Sequence, residues 1–428
     1  MKAQGDSKPV SKEQGADPRH KLALTLALLP MTRPFRSLLV VQGVDLQLLL
    51  ITFIVLILFL HTIGRLPRLF WFLTRDKLLL FLIALVPLSL FWSAVPMRSF
   101  VGVLNFSAGT FVGIYLAMHF SLREQLQIVG WALAIAAVAS LIVGIISPAL
   151  GRMYTGEGAL VWNGVFEHKN SLGRYMAIFA VAAWSLTLQE KRYGVWGLFL
   201  LLALLLIILA QSATPLLALF VMACMLPLFG VFRWRDVGIR LMSLILLLLG
   251  IGIAAVFLWH PSLGEFSQYG LALLGRDPDR NTVLVRLGLW NYSWEYIKQQ
   301  PLLGYGFDAF WSLPGRRDFI TYLGRAWEAQ QAHNGFIELW LQLGLVGLGG
   351  MVLHLLVNAR RILQAAPLLT AATFSWALGY MIVLAVLNTS YSALLGQLTV
   401  PWSLYVAITL SICAHLERHR AAARIAAA

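Results

Sequence analysis

The chain has 428 residues, 59% of them apolar and 12% charged, with a formal net charge of +14 and a mean hydropathy of +0.76. Soluble globular domains carry about 25% charged residues, so a water-soluble enzyme and a disordered scaffold are both excluded. Scarce period-2 alternation excludes an outer-membrane barrel, and many separate apolar runs approach the ~20 residues a helix needs to cross a bilayer.

The expected fold is therefore all-α, a polytopic transmembrane helical bundle. A polar leader, residues 1–21, holds Lys2, Lys8, Lys12, Arg19 and Lys21 and precedes the short apolar run Leu22 to Met31. Spanning helices are then predicted at Ser37 to Leu60, Lys77 to Val95, Ser99 to Phe120 and Gln125 to Ile146. Further runs cover His168 to Leu188, Gly194 to Ala210, Thr214 to Gly230 and Ile239 to Trp259. After a long gap come His333 to Val357, Leu368 to Leu387 and Val400 to His415, followed by a basic tail, residues 416–428. Cys224 and Cys413 both fall inside apolar runs, offering neither a disulfide framework nor metal-ligand spacing.

Charge gives the orientation. Arg65, Arg68, Arg75 and Lys77, then Arg123, Lys191 and Arg192, then Arg233, Arg235 and Arg240, then Arg360 and Arg361 recur after every second helix. These loops and the tail, with Arg418, Arg420 and Arg424, read as cytoplasmic. In a membrane protein such an excess of Lys and Arg marks loop sidedness rather than nucleic-acid binding, so no nucleic-acid partner is expected. Keeping the basic leader inside although Arg33 and Arg36 fall outside requires Leu22 to Met31 to cross as well. No small-residue cleavage site follows that run, which disfavours a signal peptide. The count becomes about twelve helices, with residues 22–259 and 333–415 as the two transmembrane blocks.

Residues 260–332 contain no spanning run and fall on the outer side. Trp259, Trp290, Trp294, Trp311 and Trp327 and a helical pattern argue against disorder there. Val283, Leu287, Trp290, Trp294 and Ile297 form one apolar stripe, and Pro301 stops the helix. Such an amphipathic helix lies at the membrane surface and helps to roof a cavity. No internal repeat is visible, and no paired Gly/Pro-broken helices of the transporter kind.

Three clusters place polar groups at outer helix mouths. In Glu167-His168-Lys169-Asn170-Ser171-Leu172-Gly173-Arg174, Asn170 and Arg174 share a helix face. A cation at that depth calls for an anion such as a phosphate headgroup, although a snorkelling interfacial Arg would look the same. Arg286 sits about 60° from the centre of the apolar stripe, where its planar fork could hold two phosphate oxygens; a solvent-facing Arg is the plainer alternative. Asn334, Glu338 and Gln342 form an inward polar stripe, with His333 at its mouth. An imidazole there suits removal of a proton from a hydroxyl, and a helix-capping His is the alternative. Two other patterns are set aside. Pro278 makes Asp277-Pro278-Asp279 a turn rather than a metal motif, and Gly344, Gly347, Gly349 and Gly350 read as close helix packing rather than a phosphate loop.

Together these segments resemble the O-antigen ligase and polymerase superfamily of bacterial membrane glycosyltransferases. The stretches that carry the resemblance are Gly164 to Arg174, Arg286-Leu287-Gly288-Leu289-Trp290 with Pro301-Leu302-Leu303-Gly304-Tyr305-Gly306, and Ala332-His333-Asn334 with Glu338 and Leu343-Gly344-Leu345. They cover roughly residues 160 to 350, and Val285 departs from the family's frequent Gly before the loop Arg. The resemblance implies a GT-C-like bundle of twelve helices in the bacterial inner membrane, with a large periplasmic loop and the active site facing the periplasm. It implies transfer of a glycan from undecaprenyl diphosphate without a metal ion or other cofactor. Arg174 and Arg286 with Lys169 would hold the diphosphate, and His333 would activate the acceptor hydroxyl. His168, Asn170, Asn334 and Glu338 would contact substrate. Inversion by single displacement is expected, since a held diphosphate leaves without a general acid. The His333 motif favours a ligase that acts on a lipid A–core sugar in lipopolysaccharide biosynthesis. A polymerase of O-antigen or exopolysaccharide repeat units is the alternative, and a lipid-linked glycan flippase the outside one.

Overall fold

The computed structural model describes residues 16–35, 39–41, 44–155, 158–190, 193–230, 282–313 and 329–427. Expected features at Ile239 to Trp259, Asp277-Pro278-Asp279 and Trp327 lie outside the described residues. The described chain is almost wholly helical, with two small antiparallel hairpins, Val40–Val41 with Val44–Asp45 and Arg152–Tyr154 with Leu160–Trp162. Among the described residues, six helical stretches are long and apolar enough to cross a membrane.

Helix α1, Pro18–Met31, starts on an Asp17 side-chain cap and fills the short run expected to cross. At 14 residues it rises only about 21 Å, less than a ~30 Å hydrocarbon layer. Helix α2, Leu46–Thr62, is capped by Asp45 and passes through a single 3-10 turn into α3, Leu66–Leu73. The sequence placed a loop at Arg65 and Arg68, but the chain stays helical. Pro67 sits in the first turn of α3, where no N–H is needed. Helices α4 (Lys77–Leu88), α5 (Pro96–His119) and α6 (Leu122–Ile146) follow. Ser121 and Glu124 form a capping box at the start of α6. After a single turn, α7 (Pro148–Gly151), come α8 (Lys169–Glu190), α9 (Tyr193–Leu209) and α10 (Ala213–Gly230).

Helix α8 is the hub, packed against α6, α9, α10 and the later helix α13, Ala371–Leu387. Ala177, Ala180, Ala182 and Ala183 are buried on it, and such small side chains let neighbouring helices approach closely. The last helix, α14, Val400–Ala427, is equally enclosed, packs on α5, and carries the basic tail as helix rather than as loop.

The predicted loop helix is present as α11, Thr282–Ile297. Its buried line is Leu289, Ser293 and Ile297, whereas Trp294 is 47% exposed. The expected stripe was therefore centred one position off, because α11 packs on protein through the side facing helix α12, Gly335–Ala365.

Helix α12 is not a continuous rod. It breaks at Gly344 (φ 65°, ψ −166°). The segment after α11 docks into the break. Leu345 and Val346 N–H donate to the carbonyls of Pro301 and Leu302, while Tyr305 and Gly306 N–H donate to those of Leu341 and Gln342. The sequence reading of this glycine run as plain helix packing holds for Gly350, which faces Phe81 and Leu82 of α4. It fails for Gly344, whose left-handed conformation and contact with the Leu302 carbonyl exclude a side chain.

Candidate functional site

The mouth of α8, the start of α12 and α11 meet at one end of the bundle. Trp290 Nε1 donates to the Ala332 carbonyl at 3.0 Å, which fastens α11 to the residue before His333. Arg286 lies one turn before Trp290 and shares its face. Arg286 and His168 both stand close enough to His333 to repel a proton on it. Arg174 and Lys169 act on His168 in the same way. The structure thus gathers His168, Lys169, Arg174, Arg286 and His333 into one basic neighbourhood.

Each side chain has an identifiable position. His168 Nδ1 accepts the Asn170 N–H at 3.1 Å, and its carbonyl accepts from Ser171 and Leu172, so it closes the first turn of α8. Asn170 Oδ1 accepts from the Ser212 hydroxyl at 3.3 Å. Arg174 is buried, donates through Nη2 to Ser171 Oγ at 3.1 Å, and leaves Nε with no partner. The guanidinium lies against Tyr391, 3.4 Å from the ring centroid, and 5.4 Å from Tyr175. No carboxylate among the described residues pairs with it. A cation held on aromatic faces with an unused N–H is ready for an anion.

His333 has a left-handed backbone (φ 49°), uncommon for a residue with a side chain. Its imidazole is pushed down to about 4 by burial, with Arg286 and His168 adding to the effect. Burial also lowers His168, with Lys169 and Arg174 behind it. Near neutral pH His333 is an uncharged ring able to accept a proton.

Asn334 and Glu338 are committed to the protein itself. Asn334 Oδ1 accepts from Phe336 and Ile337 N–H and caps α12. The Glu338 carboxylate accepts from Trp311 Nε1 at 3.0 Å on both oxygens, from Ala332 N–H at 2.7 Å and from Gln342 Nε2 at 2.7 Å. Glu338 therefore holds the segment that carries His333.

Two features escaped the sequence. The connection after α13 supplies Tyr391 to Arg174 and Asn388 to the start of α12. The Asn388 carbonyl accepts the Gly335 N–H at 2.7 Å, and its side chain accepts from Ala393 and Leu394. The polar run Asn388-Thr389-Ser390-Tyr391-Ser392 between two apolar helices was the available signal. The second is Asp308, 2.8 Å from Arg98 at the start of α5; burial raises its carboxyl, against the pull of Gln397 and Arg98.

Comparison with known proteins supports the resemblance. Residues 198–352 match the family model described as O-antigen ligase. That stretch includes Arg286, the docked segment and His333, and leaves out the mouth of α8. The chain is also 27% identical over 277 residues to the exopolysaccharide production protein ExoQ of Rhizobium meliloti (strain 1021). The match covers 61% of this chain and 59% of that relative, so it spans less than two thirds of either.

Proposed function

Taking as premise that the chain belongs to the O-antigen ligase-like superfamily, we propose that it transfers a glycan from a polyprenyl-diphosphate carrier to a sugar hydroxyl. The observation that carries this reading is the convergence of Arg174, Arg286 and an uncharged His333 at one end of the bundle. The guanidinium groups, with Lys169, hold the diphosphate. The acceptor hydroxyl oxygen attacks the anomeric carbon while the bond from that carbon to the diphosphate oxygen breaks. The bonding pair leaves with the diphosphate, whose growing charge the arginines offset. His333 takes the hydroxyl proton. A single displacement inverts the anomeric centre.

The description of the matching family favours the ligase reading; in that reading the acceptor is a lipid A–core sugar and the site faces the periplasm from the inner membrane. The relative named for exopolysaccharide production favours a second reading, in which the acceptor is another carrier-linked repeat unit. Reconstitution in liposomes with an undecaprenyl-diphosphate glycan and either acceptor tests both. Glycan on the lipid A–core supports ligation, and longer carrier-linked chains support polymerisation. Movement of the donor across the bilayer with no glycosidic bond formed would overturn both in favour of transport.

A further inference from the structure

A second basic site lies at the other end of the bundle. Helix α6 ends beside the first site, where Gly144 meets Trp162 and Ser140 meets Gly164. Its 25 residues rise about 37 Å, so its first turn lies roughly a membrane thickness away. There the starts of α1 and α6, the ends of α3 and α5 and the middle of α14, at Ala414 and Arg418, enclose a cavity of about 800 Å³. Lys21, Arg68, Arg123 and Arg418 line it, with Trp71 and Phe72 on an apolar wall.

Glu124 is the one carboxylate among the described lining residues. Its Oε1 takes the Lys21 ammonium at 2.8 Å and the Ala16 N–H at 2.8 Å, and its Oε2 takes the N–H and hydroxyl of Ser121 at 3.0 Å each. Glu124 thus balances Lys21 and closes the start of α6. Arg68, Arg123 and Arg418 stand around the mouth, Arg418 donating through Nε to the Ala414 carbonyl, and Arg68 lies near enough to Arg65 and Arg418 for mutual repulsion. Gathering like charges at a half-enclosed mouth costs free energy that a bridging anion removes. Guanidinium forks fit phosphate oxygens two at a time, and basic pockets between transmembrane helices suit phosphate headgroups. The volume falls within the ~300–1,000 Å³ of ligand pockets and exceeds what one phosphate fills.

We infer that this cavity binds an anion bearing more than one phosphate, supplied either as an anionic phospholipid headgroup or as a soluble diphosphate. The inference does not depend on the reaction at the opposite end. Because Arg174 is proposed to hold diphosphate as well, the test uses full-length Arg174→Ala protein as its reference. Inorganic pyrophosphate is titrated calorimetrically into that protein in neutral detergent. In parallel, retention of cardiolipin is followed by native mass spectrometry after release from phosphatidylcholine nanodiscs containing it. Arg68→Gln with Arg123→Gln should weaken whichever ligand binds by at least ~10-fold. Pyrophosphate binding identifies a soluble ligand, and cardiolipin retention alone identifies a lipid. If the Gln pair does not fold, Arg68→Lys with Arg123→Lys decides, with weaker binding than the reference expected. Failure of both probes to bind the reference protein overturns the inference. So does unchanged affinity in the folded variant.

Discussion

The guanidinium of Arg174 stacks on the ring of Tyr391, 3.4 Å from its centroid, although the two residues are over two hundred positions apart. The ring takes the place of a counter-charge, holding the cation without neutralising it. A desolvated cation–π contact contributes about 2 kcal/mol, so Tyr391→Leu should slow glycan transfer about 10–30-fold. Tyr391→Phe keeps the face of the ring and should stay within about 3-fold of wild type. Initial rates at matched protein levels check this, and an unaffected Tyr391→Leu variant would remove the ring from the site.

The pH dependence should differ between free and loaded enzyme. His333 is depressed to about 4 by burial, then by Arg286 and His168, so in the free protein it is uncharged well below neutrality. A bound diphosphate brings negative charge, which favours the protonated ring and raises that value. The acid limb of kcat/KM, set by the free enzyme, should therefore lie near pH 4, and the limb of kcat should lie higher. Arg286→Gln removes one depressing charge and should move the kcat/KM limb upward. Coincident limbs for kcat and kcat/KM would contradict a diphosphate bound beside His333.

Glu338 and His333 should fail in different ways. Glu338→Ala strips the acceptor from half-buried Gln342 and from Trp311 and Ala332, two buried donors that each cost about 1–3 kcal/mol when left unpaired. Thermal stability, donor binding and transfer should fall together. His333→Ala should spare stability and donor binding while transfer falls about 10²–10⁴-fold. Thermal midpoints measured beside turnover separate the two. Loss of turnover in Glu338→Ala at an unchanged midpoint would move the carboxylate into the chemistry.

Gly344→Ala tests the break in α12. A methyl group there meets the Leu302 carbonyl and must adopt a left-handed backbone, so the docked segment at Pro301–Gly306 should release. Faster proteolysis after Gln300 is expected, whereas Gly349→Ala, with open space around it, should behave as wild type. Equal protease resistance in the two variants would show that the segment is held by other contacts.

Much of this was legible in one dimension. Apolar run lengths revealed the membrane helices, since crossing a bilayer leaves a composition signal about twenty residues long. The loop helix at Thr282–Ile297 was legible from its period, and the clusters around Arg174, Arg286 and His333 stood out because charged groups at helix mouths are conspicuous against apolar sequence. Tertiary structure alone decided which polar groups are already occupied. Glu338 looked like an available carboxylate, yet Trp311 and Ala332 fill it, because a buried acceptor takes whatever donors packing brings near. Tyr391 carried no signal of its own, since an aromatic residue in a membrane protein is ordinary until a distant cation is folded onto it. Gly344 read as one more small packing residue. Its φ of 65° arises only where the segment from Pro301 is brought against α12, and a backbone angle set by a partner thirty residues or more away leaves no mark in local sequence.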